Sequence, residues 1–112
     1  MPLLEIITNT TIDDDTAVAT QASQLAAEIL GKPESYVMVR IQSEQTLIFA
    51  GSDQPAALLK LKSLGLPEEQ TADFSSRLCR FIGERMNIDS ARIYIEFSSP
   101  ARHMWGWDGR TF

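Results

Sequence analysis

The sequence predicts an α+β domain built from two β-α-β units in tandem, with one four-stranded mixed sheet carrying two helices on one face. Three observations lead there. Runs of strand length, apolar and rich in β-branched residues, alternate with stretches whose apolar residues recur at helical spacing. Turn and stop residues, such as Gly31-Lys32-Pro33 and Asn87, fall between them. The two halves also repeat. Leu3-Leu4-Glu5-Ile6 returns as Leu58-Leu59-Lys60-Leu61, and Glu34-Ser35 returns at the same offset as Asp89-Ser90. Right-handed crossovers follow if the two strands of each unit are parallel.

Leu3 to Thr8 reads as the first strand by length and composition. Asn9-Thr10-Thr11 ends it, and Asp13, Asp14 and Asp15 supply the carboxylates that a helix N-terminus favours. Val18, Ala22, Leu25, Ala26 and Ile29 then form one helical stripe. Gly31 suits the left-handed position after a helix, and Pro33 prevents continuation. Tyr36 to Ile41 is expected to be a second strand, and Thr46 to Ala50 a short one ending at Gly51. In the second half Leu58 to Leu61 is a strand, and Leu64-Gly65-Leu66-Pro67 turns into a helix opened by Glu68 and Glu69. Phe74, Leu78, Phe81, Ile82 and Met86 make its stripe, and Arg92 to Phe97 is the closing strand. The tail from Pro100 to Phe112 is too short for a third unit and contains Trp105-Gly106-Trp107.

One core and a single domain over residues 1–112 are what this length supports. A hydrophobic content of 44% with 22% charged residues is that of an ordinary soluble chain. The net charge of -5 argues against nucleic acid, whose binders carry a basic face. No apolar run approaches the ~20 residues of a membrane span, and the start lacks the pattern of a secretory leader. Cys79 is the sole cysteine, which excludes an internal disulfide and a CxxC redox role. A cytoplasmic location fits these facts, with export by a route that needs no signal peptide left open.

Two features point toward function. The strands are apolar at consecutive positions, as in Leu3-Leu4-Glu5-Ile6-Ile7 and Val37-Met38-Val39, so both sheet faces are expected to be buried. Two helices cover only one face, and the other calls for a second copy of the chain. The second feature is Pro2. A start methionine before proline is normally removed, which would leave Pro2 as a free secondary amine at the head of an apolar strand. An α-amino group titrates near ~8 in the reference state. Burial or a nearby cation lowers that value toward the range a general base needs. The same proline also suits the first position of an edge strand, where its missing N–H costs nothing.

Several segments, in order along the chain, resemble the family of macrophage migration inhibitory factor and D-dopachrome tautomerase. They are Met1-Pro2-Leu3-Leu4 with Thr8-Asn9, Leu30-Gly31-Lys32-Pro33 with Tyr36, Phe49-Ala50-Gly51-Ser52, Ser63-Leu64-Gly65, Arg92-Ile93-Tyr94-Ile95, and Gly106-Trp107-Asp108-Gly109-Arg110-Thr111-Phe112. The resemblance implies a homotrimer with its sheets facing inward. It also implies a cofactor-free keto–enol tautomerase acting on phenylpyruvate-like 2-oxo acids or D-dopachrome, with Pro2 as base. Lys32 would bind the substrate carboxylate, and Leu64 would line the pocket. Tyr94 and residue 96, here Glu96, would come from the neighbouring subunit. Tyr36, Trp105, Trp107 and Phe112 would form an aromatic rim for the substrate ring.

Each of these residues also has a plain structural reading. Lys32 complements the negative end of the preceding helix, Leu64 packs at a strand end, and the aromatic residues fill a core or an interface. The chain departs from the family at Glu96, where the mammalian cytokine has an asparagine. A carboxylate there would repel an anionic substrate by ~1 to 4 kcal/mol. Trp105 replaces a small aliphatic residue and narrows the pocket, while Ala56 and Leu59 replace the cytokine's CxxC cysteines. A second reading, a cytokine-like protein that binds a protein receptor and keeps only weak activity, remains open on these grounds. His103 is expected to be exposed and Cys79 a packed thiol. The three aspartates read as helix-start chemistry, with no metal site.

Overall fold

The computed structural model describes all residues from Met1 to Phe112. β1 (Leu3–Thr8) leads through α1 (Asp15–Leu30) to β2 (Met38–Gln42). The second unit repeats the order with β3 (Ala57–Lys62), α2 (Thr71–Met86) and β4 (Ile93–Ser98). The sheet order is β2-β1-β3-β4. β1 runs parallel to β2 and β3 parallel to β4, while the two units meet antiparallel along β1 and β3. The mixed α+β sheet expected from the sequence is therefore present.

α1 starts where the aspartates stand. The Asp14 carboxylate accepts the Ala17 N–H at 3.0 Å, which satisfies one of the helix's free N-terminal donors. The helix ends at Gly31, whose φ of 62° is left-handed. The Gly31 N–H bonds the Glu28 carbonyl and the Lys32 N–H bonds the Ala27 carbonyl, the paired closure that a glycine at this position allows. Lys32 is thereby held as the second residue beyond the helix, directly after Gly31. Asn87 closes α2 in the same left-handed conformation, with φ 55°.

Alternate strand residues point into the helix-covered core. Leu4, Ile6, Leu59 and Leu61 lie there, fully buried against Ala22, Ala26, Phe74, Leu78 and Ile82. The opposite face is open in the single chain and differs from the uniformly apolar surface expected. Register places three rows across it: Met38-Leu3-Lys62-Ser98, Arg40-Glu5-Lys60-Glu96 and Gln42-Ile7-Leu58-Tyr94. The middle row is charged from edge to edge, and Arg40 meets Glu5 at 3.4 Å. Consecutive apolar residues hid this row because it holds only one residue of each strand.

Three expected elements are corrected. Tyr36 belongs to a 3₁₀ turn over Glu34–Tyr36, so the strand begins later, at Met38. Glu68 and Glu69 likewise form a 3₁₀ turn before α2. Thr46 to Ala50 is not a strand, and only Phe49 and Ser52 pair, across a turn in which Ala50 and Gly51 have positive φ. The loop's carbonyls are held by the Phe49–Ser52 pair and by two side chains, Asn9 on Asp53 and Gln54, and Arg92 on four of them, rather than by a strand. Arg92 donates to the carbonyls of Phe49, Ser52, Gln54 and Pro55 at 2.9 to 3.1 Å, and its guanidinium lies over the Phe49 ring.

The tail adds a small hairpin, β5 (Gly106–Trp107) with β6 (Arg110–Thr111). Its two turn residues, Asp108 and Gly109, have φ of 52° and 74°, the conformation that matches the twist of a two-residue hairpin. The hairpin was not among the elements expected from the sequence, although Asp-Gly is a dipeptide that favours it. No helix is long and apolar enough to cross a membrane.

Candidate active site at the head of the first strand

The head of β1 opens onto a cavity of about 640 Å³, within the range of pockets that hold small organic ligands. Met1, Lys32, Tyr36, Leu64, Arg102, Trp107 and Phe112 line it, with Pro33, Gly65 and Pro100 completing the wall. An adjoining recess shares Met1, Tyr36 and Trp107 and is also lined by Pro2, Leu3 and Trp105. Pro2 itself is fully buried, and its carbonyl accepts the Met38 N–H at 3.0 Å, which ties the head of β1 to β2.

The aromatic residues are arranged around one indole. Trp107 stacks on Phe112 with ring centroids 6.2 Å apart and meets Tyr36 edge-on at 6.3 Å. The Arg110 guanidinium covers Trp107 at 5.2 Å. The Trp107 position follows from the hairpin, which turns β5 back along the head of β1. Leu64 is buried beside the turn that follows β3.

The cavity is positive. Lys32 and Arg102 both line it, neither is in an ion pair, and no Asp or Glu is part of its wall. The Met1 amine lies below its ordinary value, first because burial disfavours its charged form, then because of Lys32 and Arg102. An anion is what such a wall attracts. Pro2 follows Met1 directly and is more deeply buried, and while Met1 is attached its nitrogen is an amide without basicity.

Of the residues singled out in the sequence, Lys32, Leu64, Tyr36, Trp107 and Phe112 surround the cavity, with Pro2 and Trp105 in the adjoining recess. Tyr94 and Glu96 stand elsewhere, on the open sheet face along β4. Tyr94 packs edge-on against Phe49 at 4.9 Å. Glu96 lies opposite Lys60 and shares a shallow recess with Lys62 and Glu5. Arg102 is the residue sequence reasoning missed. Its signal was a cation three residues before Trp105, next to a histidine expected to be exposed. His103 beside it is exposed. Cys79 packs against the core, and burial pushes its thiol up, with hydrogen bonds to Ser75 and Ser90 acting the other way.

This is a tandem β-α-β protein with an anion-attracting, aromatic cavity at the start of its first strand. A model of the macrophage migration inhibitory factor family matches residues 1–112, and the chain belongs to that family. It is 36% identical to a macrophage migration inhibitory factor homolog of Trichinella spiralis over 116 aligned positions that span all of both chains. It is 33% identical to the macrophage migration inhibitory factor of Xenopus tropicalis, covering 100% of this chain and 99% of that one. The crystal structure of a homologue from Prochlorococcus marinus superposes with a TM-score of 0.93 at 34% identity, covering 98% of each chain. Family membership supports an isomerase of the tautomerase superfamily, or a cytokine-like role, in general terms.

Proposed function

We infer that this protein is a keto–enol tautomerase of phenylpyruvate-like 2-oxo acids whose base is the Pro2 amine, freed by removal of Met1. The observation that carries this reading is the placement of buried Pro2 beside a cavity that combines two unpaired cations with a cluster of aromatic rings. Lys32 and Arg102 suit the substrate carboxylate, and the rings of Tyr36, Trp107 and Phe112 suit its phenyl group. Burial and nearby cations, the causes that hold the Met1 amine low, are also the kinds of cause that would favour the neutral form of a Pro2 amine.

In the reaction the bond between hydrogen and the carbon flanked by ketone and ring breaks. The proton moves to the Pro2 nitrogen, and the electron pair becomes the enolate double bond with its charge on oxygen. Pro2 then returns the proton to that oxygen, giving the enol, and the reverse path gives the ketone. No cofactor enters this scheme. The open sheet face with its apolar rows supports a homotrimer, in which Tyr94 and Glu96 of a neighbouring subunit reach the site.

A cytokine-like interaction protein is the second reading, favoured by one observation. Glu96 on β4 is a carboxylate that would oppose an anionic substrate wherever a neighbouring copy brings it to the cavity, which suits a pocket kept for binding a partner rather than for turnover. The deciding experiment pairs intact mass measurement with a phenylpyruvate enol–keto assay on the same sample. The expected result is a mass short by one methionine and turnover that falls about 10²- to 10⁴-fold in Pro2→Gly. Full activity with Met1 retained refutes the mechanism, and a processed but inactive protein favours the second reading.

A further inference from the structure

The indole of Trp105 donates a hydrogen bond to the Met1 carbonyl oxygen at 3.1 Å. That oxygen belongs to the carbonyl bonded to the Pro2 nitrogen, so peptide geometry puts it about 2.3 Å from that nitrogen. The donor is therefore aimed at a point beside the atom proposed as base. Removal of Met1 takes away the acceptor and leaves a partly buried N–H facing the space where the reacting carbon must lie. An unpaired buried donor costs about 1–3 kcal/mol, so an incoming oxygen is favoured there.

We propose that Trp105 is a catalytic residue whose Nε1–H binds the substrate oxygen on which the enolate charge develops. The Met1 carbonyl stands in for that group in the present structure. Abstraction of a proton next to a carbonyl moves the negative charge onto an oxygen two bonds from the reacting carbon. With the base about 3 Å from that carbon, the oxygen sits outside bonding distance of the nitrogen, about 1 Å beyond the point now held by the Met1 oxygen and on the side the same N–H faces. A donor fixed on that position is stronger in the transition state than on the neutral ketone, which lowers the barrier.

Two features of the site suit this role. Trp105 is anchored through its main chain, its N–H on the Arg102 carbonyl at 3.3 Å and its carbonyl on the Phe112 N–H at 3.2 Å. The Lys62 ammonium lies 4.9 Å from the centre of its ring, and a cation on the ring face draws electron density away from the N–H and strengthens it as a donor. Division of labour follows: Lys32 and Arg102 take the carboxylate, Trp107 and its neighbours the aromatic ring, and Trp105 the ketone oxygen. The assignment rests on the tautomerase reading above.

The test is steady-state kinetics of phenylpyruvate enol–keto conversion by Trp105→Phe, with wild type and Pro2→Gly assayed beside it and methionine removal checked by mass. The variant keeps an aromatic ring and loses the N–H. The expected result is a kcat lower by about tenfold to several hundredfold, a KM within about threefold of wild type, and an unmoved acid limb of the pH profile. Should Trp105→Phe fail to fold, 3-benzothienylalanine at position 105 preserves the bicyclic shape while replacing N–H by sulfur, with the same loss expected. An active wild type with kcat unchanged in either variant overturns the role of Trp105, as does a loss confined to KM. An inactive, processed wild type instead overturns the tautomerase reading itself.

Discussion

Gly31→Ala and Gly83→Ala are the same chemical change and are expected to move stability in opposite directions. At Gly31 an added Cβ meets nothing within 4 Å, so packing is silent and only the backbone decides. Its φ of 62° is left-handed, where a side chain costs roughly 1–2 kcal/mol. Gly83 lies inside α2, and a Cβ there would sit 3.5 Å from the Ile88 carbonyl oxygen, an ordinary contact. Alanine in a helix interior is worth about 1 kcal/mol over glycine. Urea unfolding at one fixed protein concentration reads both, since an oligomer's stability depends on concentration. With a slope of about 1–3 kcal/mol per molar, Gly31→Ala should lower the midpoint by roughly 0.3–2 M and Gly83→Ala should raise it by a similar or smaller amount. The consequence reaches the site because Lys32 follows Gly31 and its N–H closes α1 on Ala27. A Gly31→Ala protein as stable as wild type or more so would refute the argument, since alanine is stabilising only where φ is negative.

Lys32→Ala and Arg102→Ala should each raise the KM for phenylpyruvate about tenfold, in line with loss of a charged hydrogen bond. In both, the acid limb of the rate profile should move to higher pH. In the proposed mechanism the neutral Pro2 amine is the active form, and removal of a neighbouring cation would raise its pKa, so protonation would begin at higher pH as acid is added. A limb that stays in place or moves down would separate these cations from the base. Arg92→Ala should destabilise the protein by about 2–3 kcal/mol through the carbonyls of Phe49, Ser52, Gln54 and Pro55, with Arg92→Lys recovering less than half because an ammonium lacks the planar fork. Unchanged urea midpoints in Arg92→Ala would show that the loop is held by other contacts.

What could be read in the sequence was what local chemistry dictates. Asp14, Gly31 and Asn87 each act within a few residues of their own position, and the stripes of Phe74, Leu78 and Ile82 or Ala22 and Ala26 need only the helical period. The strand expected at Thr46–Ala50 failed because its composition was right while its partner was missing. Its Phe49 carbonyl goes to the Ser52 N–H and to Arg92, the latter more than forty residues away along the chain. Arg102 failed for a related reason. It enters the cavity only because the 3₁₀ turn over Arg102–Met104 and the hairpin after it fold back on the head of β1. The hydrogen bond from Trp105 to Met1 joins the two ends of the chain, and no spacing rule could have found it.

The open sheet face changes what Glu96 means for the site. Read alone, it is a carboxylate that opposes an anionic substrate. In the sheet it ends a row that alternates in sign, from Arg40 through Glu5 and Lys60. Each charge inside the row has an opposite charge on both sides, while Glu96, at the edge strand, has Lys60 on one side only. Burial of an unpaired charge costs several kcal/mol, so copies can cover this face only if the row stays paired. The flanking rows supply the apolar contact, through Leu3 and Met38 on one side and Ile7, Leu58 and Tyr94 on the other. Within the proposed trimer, Glu96 would arrive at a neighbour's cavity with Lys60 as its register neighbour and facing a wall that carries Lys32 and Arg102. Its repulsion of substrate is reduced by every one of these cations, and the free side of Glu96 is the place where the two subunits' charges can meet. In the proposed trimer the carboxylate that opposes an anionic substrate would meet two cations, Lys32 and Arg102, rather than the single one legible in the sequence, so the wall would keep a net positive charge for the substrate carboxylate.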